Sequence, residues 1–150
     1  MAELRALCEG LGFEAVTTHI WTGDVVFRSS LTRPAARRAL EDALQRKMGR
    51  PVTVQVRSPA ELEALLAAIP FPDADPKQVV VFFLDRPPGA RALAAVEIPG
   101  REAVEARGKH VFVHYPDGQA RSKLKLPFAQ AATGRNLSTV RRLASLAARA

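Results

Sequence analysis

Cysteine, tryptophan and tyrosine each occur once in this sequence, and methionine only twice. With Cys8 alone, an internal disulfide and a multi-cysteine metal site are excluded. No apolar run approaches the roughly 20 residues that span a bilayer. The opening M-A-E-L-R-A-L-C-E-G mixes charge with apolar residues and lacks the continuous apolar centre of a signal peptide. A cytoplasmic location without membrane contact is expected. Acids run out early. All 15 Asp and Glu lie at or before Asp117, whereas seven of the 22 Lys and Arg follow it, namely Arg121, Lys123, Lys125, Arg135, Arg141, Arg142 and Arg149. That segment accounts for the whole net charge of +7. A one-signed stretch attracts phosphates without supplying recognition.

Several catalytic signatures are also missing. There is no H-E-x-x-H, no C-x-x-C and no paired-acid spacing, and the phosphate loop G-x-x-x-x-G-K-S/T is absent. Gly10-Leu11-Gly12-Phe13-Glu14-Ala15 fits the loose form G-x-G-x-x-A, but it leaves a helix and enters a strand, the reverse of the dinucleotide-binding context. His110 and His114 are four apart on a strand, hence about 13 Å apart and too distant to share a metal. His19 sits on another strand with no orienting partner. Cys8 falls on the apolar stripe of a helix, where a buried, inert thiol is expected. No cofactor and no metal are expected.

What is present is an ordinary globular composition, 47% apolar and 25% charged. Leu4, Leu7, Cys8 and Leu11 mark a first helix over 2–11, with Gly12 as its C-cap. Glu14–Ile20 and Asp24–Arg28 read as strands around a hairpin turn at Trp21-Thr22-Gly23. Thr32-Arg33-Pro34 opens a second helix with the stripe Ala36, Ala39, Leu40, Ala43, Leu44 and Met48, closed by Gly49. Val52–Val56 alternates as a strand, and Ser58-Pro59-Ala60-Glu61 starts a third helix with capping-box spacing. Beyond the proline-rich stretch 70–76, Gln78–Leu84 is a strand buried on both faces. A short helix near 89–95 follows, then a hairpin of 101–107 with 110–115 around Gly108-Lys109. Tyr115 reads simply as ending that strand. Ser122–Ala132 and Leu137–Ala148 read as two helices split near Gly134.

The order α-β-β-α-β, then β-α-β-β-α-α, predicts an α+β fold. It resembles two ferredoxin-like (split β-α-β) subdomains, the first lacking its opening strand. The expected division is 1–69, a linker at 70–76, and 77–150 with a helical C-terminus.

The last basic block, T-G-R-N-L-S-T-V-R-R-L-A, holds the strongest candidate site. Asn136 or Ser138 is placed to cap the final helix, whose free N–H groups and positive dipole end accept anions. Capping does not explain the cations gathered at the unfavourable end of that dipole.

Three blocks together resemble a bacterial family of uncharacterised proteins, that of domain of unknown function 1697. They are M-A-E-L-R-A-L-C-E-G-L-G-F-E-A-V, then W-T-G-D-V-V-F-R-S, then R-S-K-L with T-G-R-N-L-S-T-V. The resemblance implies an α+β fold with ferredoxin-like subdomains and no established activity. Members usually read S-G-N-V-V-F where this chain has Thr22 to Phe27, and T-T-R-N-W where it has Thr133 to Leu137. Gly134 and Leu137 depart from that pattern. Members also carry a strand of the form L-L-R-G-I-N-V-G-G before the position of Met1, so the start is expected upstream, or another segment or chain is expected to fill the gap.

The preferred reading is a binding or interaction module rather than an enzyme. Its anion- or ligand-contacting residues are Thr22, Gly23, Asp24, Ser122, Lys123, Arg135, Asn136, Thr139 and Arg142, with an anionic small molecule as partner and self-association in reserve. The alternative is an enzyme acting on a phosphorylated or carboxylated metabolite, with Asp24 its acid–base group. A further alternative is nucleic-acid binding through the basic C-terminal segment, which lacks interleaved aromatics for base stacking.

Overall fold

A computed structural model describes residues 2–19, 24–129 and 132–149, with the side chains of Ala2 and His19 excepted. The hairpin turn Trp21-Thr22-Gly23 lies outside the described residues. Among the described residues the architecture is mixed α+β, with one two-stranded and one four-stranded antiparallel sheet. By backbone proximity the chain divides into two compact units, Met1–Ala60 with Leu143–Ala150, and Glu61–Arg142. The 70–76 stretch falls within the second unit.

In the first unit, helix α1 (Ala2–Gly10) ends where Gly12 takes φ +85°. The Phe13 N–H reaches back to the Cys8 carbonyl at 3.1 Å. Strands β1 (Glu14–His19) and β2 (Asp24–Arg28) pair antiparallel. Their register slips between Glu14 and Thr17, placing one extra residue on β1. This is a β-bulge, and Ala15 within it sits at φ +51°. The left-handed conformation costs an L-residue about 1–2 kcal/mol, against about 0.5–1 kcal/mol of extra chain entropy for glycine. Ala15→Gly is therefore expected to stabilise the fold by about 0.5 kcal/mol, read from urea unfolding. A loss of stability of that size would remove the strain argument.

Helix α2 (Arg33–Met48) is closed at both ends as its sequence dictates. Thr32 Oγ1 accepts the Ala35 N–H at 3.3 Å, and Gly49 at φ +73° returns its N–H to the Gln45 carbonyl at 2.9 Å. Its stripe buries Ala36, Leu40 and Ala43, but Met48 in the last turn is half exposed, which corrects its expected burial. The first core gathers Cys8, Phe13, Val16, Ala36 and Leu40, with Val25, Phe27, Val54 and Val56 packed against it. Phe13 and Phe27 stack with ring centroids 4.1 Å apart.

The strand expected at Val52–Val56 does not form. The segment keeps its apolar side toward the core, yet the Val54 N–H donates to the Glu41 carboxylate at 3.0 Å rather than to a neighbouring strand. Alternation dictates which side chains face in; it supplies no backbone partner.

Helix α3 (Pro59–Ala67) leads into the second unit, burying Leu62 and Leu65. There β3 (Val79–Phe83), helix α4 (Ala90–Ala94), β4 (Ala103–Arg107), β5 (His110–His114) and β6 (Thr133–Asn136) build a sheet of order β4-β5-β3-β6, every pair antiparallel. Gly108 at φ +60° turns β4 into β5. β3 is buried nearly throughout, as its unbroken apolar run requires. One face carries Val80, Leu84, Val111, Val113 and Tyr115, covered by Leu124, Leu126, Phe128, Ala129 and Ala132. In register on the other, Val81 pairs with Phe112, both fully buried.

Two expectations fail in the covering segment. Ser122–Ala132 is no helix: among the described residues it holds one 3-10 turn, Pro127–Ala129, preceded by extended chain. Arg121-Ser122-Lys123-Leu124-Lys125-Leu126 alternates exposed and half-buried along its whole length. That is a period of two, and Pro127 lacks the N–H a helix interior needs. Thr133–Asn136, read as a break between helices, is instead β6, hydrogen-bonded to β3. Helix α5 (Leu137–Arg149) follows directly and buries Leu137 and Val140.

Candidate functional site

The second unit brings most of the candidate residues to one end of its sheet. Ala103 opens β4 opposite His114, His114 ends β5 opposite Val79, and Asn136 ends β6 opposite Val80. The connections there carry Glu102, Tyr115, Asp117 and Gln78, and the start of α5.

At the β6–α5 junction, Asn136 Oδ1 accepts the Thr139 N–H at 2.9 Å. This is the expected N-cap, and it satisfies one of the four amides a helix start leaves without an intrahelical acceptor. Thr139 is half-buried one turn in, and Arg142, with Arg141, is exposed further along. Arg135 is opposite Val81 and Asn136 opposite Val80, so the pleat sends the two side chains to opposite faces. Arg135 is half-buried, and its Nη1 donates to the Gly134 carbonyl at 2.8 Å. Gly134 is required here: a Cβ on it would stand 2.9 Å from the Phe82 ring. Phe82 is its direct cross-strand neighbour, so the ring covers the space a side chain would take.

Ser122 lies over the same face as Asn136 but is tied to the β4 edge of the sheet. Its Oγ donates to Glu102 Oε1 and accepts the Leu124 N–H, both at 3.1 Å. The Gly100 N–H reaches the second oxygen of Glu102 at 3.0 Å. Glu102 precedes β4, three strand spacings from β6, or about 14 Å. Lys123 is exposed beside Ser122. Asp24 opens β2 opposite His19 in the first unit, and Thr22 and Gly23 lie outside the described residues.

The other candidates resolve simply. Cys8 is fully buried, and burial, with Glu9 second, pushes its thiol above the ordinary value. The His114 ring packs on Phe71 with centroids 5.8 Å apart, and the His110 ring meets Phe83 edge-on at 5.3 Å. Arg101 forks onto Asp117, with Nε 3.3 Å from Oδ2. That hydrogen bond holds Asp117 below the ordinary carboxylate value, and both groups are exposed, so the pair contributes little to stability.

Tyr115 is the residue that sequence reasoning missed. It is 4% exposed, and its N–H donates to the Gln78 carbonyl at 2.8 Å. Beside it, Phe82, Gln119, Ser122, Leu124, Leu126 and Ala129 line a cavity of about 260 Å³. Burial first, and the Glu102 charge second, raise its phenol above the ordinary value. As the fold's one tyrosine, it titrates alone in ultraviolet absorbance. Glu102→Gln is expected to lower the midpoint while leaving it above about 10. A midpoint unmoved by that change would exclude the Glu102 contribution. A raised acid favours its neutral form in the fold, so this stability term is complete below about pH 10 and is lost as pH rises through the folded midpoint.

A sequence model of a family described as "Protein of unknown function (DUF1697)" matches residues 1–112. The chain belongs to this family. The matched part stops within β5, so the terminal block with Arg135 and Asn136 lies beyond it. Among solved structures, the fold is similar to that of the conserved bacterial protein SP0830 from Streptococcus pneumoniae. The TM-score is 0.79 at 22% sequence identity, covering 98% of this chain and 88% of that one. No curated protein matches the sequence. The DUF1697 chain thus shares its fold with a conserved bacterial protein, and its family is one of unknown function. No helix among its described residues is long and apolar enough to cross a membrane.

Proposed function

We propose that this DUF1697 protein is a binding module that accepts an anion at the start of α5. The observation that carries the reading is an electrostatic mismatch at a fixed helix end. Asn136 pins that end to the sheet, where the helix dipole is positive. Arg135 precedes it in the chain, Arg141 and Arg142 follow in the second turn of α5, and no acid occurs in the sequence after Asp117. Cations near the positive end of a helix oppose one another and the dipole. An anion held there offsets that cost and takes the remaining amides. Arg135 approaches from the opposite face of β6, so Arg142 and the amides of Leu137 and Ser138 are the nearer contacts, with Thr139 beside them. Ser122 and Lys123, toward the β4 edge of the sheet, serve a separate contact.

The strand order β4-β5-β3-β6, with β3 and β4 joined through α4, supports reading the second unit as a ferredoxin-like split β-α-β sheet. In that reading the segment 115–129 stands where such folds place their second helix.

A thermal-shift screen of anionic metabolites tests the proposal. The expected result is a hit whose stabilisation falls several-fold in Arg142→Ala and in Arg135→Ala. Stabilisation that survives both substitutions would sink it.

A further inference from the structure

The cavity beside Tyr115 carries an inference independent of the anion site. Ser122, Leu124 and Leu126 turn inward from the extended segment that covers the sheet, while Arg121, Lys123 and Lys125 turn out. The Ser122–Glu102 bond pins this segment at one end, and the 3-10 turn at Pro127–Ala129 closes it at the other. Between segment and sheet remains the space of about 260 Å³, walled by Phe82, Leu124, Leu126 and Ala129.

Its polar groups are few and specific. No buried side-chain oxygen or nitrogen among the described residues lacks a partner. Tyr115 lines the cavity. Kept neutral, it offers a donor. Gln119, exposed at the rim, offers a carbonyl and an amide. Ser122 is committed on both sides, to Glu102 and to the Leu124 N–H. The charge pattern is two-sided: the Glu102 carboxylate acts on Tyr115, opposing an anion, and the three outward cations oppose an incoming cation.

We propose that this cavity binds a small, uncharged carboxamide carried on a single ring, its ring against Phe82, Leu124 and Leu126, its carbonyl accepting from Tyr115 and its N–H donating to Gln119. The volume lies just below the roughly 300–1,000 Å³ of drug-sized sites, which limits the ligand to about one ring with its substituent.

Benzamide is a suitable probe, with benzoate, benzylamine and toluene as charged and apolar controls. Titration of the full chain, followed by ligand-observed NMR and by the absorbance of the single tyrosine, is expected to show saturable benzamide binding. Tyr115→Phe, which keeps the ring in the core, is expected to weaken it at least tenfold. Gln119→Ala, at an exposed position, is expected to weaken it about threefold, and Ala129→Phe to abolish it by filling the space. Inorganic phosphate is expected not to compete, which separates this site from that at α5. No saturable benzamide binding, benzoate or benzylamine binding as tightly, or undiminished binding by Tyr115→Phe would each overturn the proposal.

Discussion

Phe112→Ala is expected to destabilise the protein by about 3–5 kcal/mol, the largest effect of any substitution considered. Phe112 has no exposed surface and lies on β5, between β4 and β3 in the four-stranded sheet. Its cross-strand partners are Val81 on one side and Glu105 on the other. Removing the ring forfeits its burial and leaves a void that close-packed neighbours collapse into only partly. Since domains of this size are stable by about 5–15 kcal/mol, such a loss consumes a large share of the total. Urea denaturation of the purified variant measures it. A loss under 1 kcal/mol would mean that the second unit is not organised around this sheet.

The second large effect concerns Gly134. Gly134→Thr restores the residue usual in the resembling family, yet it is expected to cost about 1–3 kcal/mol here, as overpacking does. The new Cβ would stand 2.9 Å from Phe82 Cε1 and 3.2 Å from Cδ1. The rest of the contact is a ring in a covered face, so relief requires the ring to move. Phe82→Leu alone is expected to be destabilising, because it uncovers the glycine. Combined, the two changes are expected to recover at least about 0.5 kcal/mol relative to their sum, the signature of residues in direct contact. Strict additivity in a double-mutant cycle would show that Phe82 and Gly134 do not share this space.

What was legible in the sequence were the elements set by local rules. Thr32, Pro34 and Gly49 bracket α2 because capping and φ preferences act within one turn. Gly108 fixes the β4–β5 hairpin for the same reason. β3 announced itself because only a strand buried on both faces tolerates five consecutive large apolar residues. The segments that escaped depend on partners far away in the chain. Val52–Val56 alternates like a strand, but pairing requires a neighbour, and Glu41 serves the Val54 amide instead. β6 is four residues long with a glycine inside, and only its register with β3 makes it a strand. In Ser122–Leu126 the period of two was present in plain view, outweighed by the length of the stretch and its helix-forming alanines further on.

The candidate site was legible in part for the same reason. Asn136 as a cap is a local fact and appears as such. That Arg135 and Asn136 point to opposite faces follows from β6 being a strand. That Ser122 bonds Glu102, beside the edge strand opposite β6, follows from the packing of 119–129 over the sheet. Tyr115 looked like a strand end before a turn; only the packing of 119–129 over the sheet reveals a cavity at its ring.

The central claim, that the start of α5 accepts an anion, is tested most directly by an amide NMR titration with inorganic phosphate at low ionic strength. The account predicts saturable shifts concentrated at Leu137, Ser138 and Thr139, weakened several-fold in Arg142→Ala. Shifts scattered over Arg121, Lys123 and Lys125 with none at the start of α5, or shifts there that Arg142→Ala leaves unchanged, would contradict it.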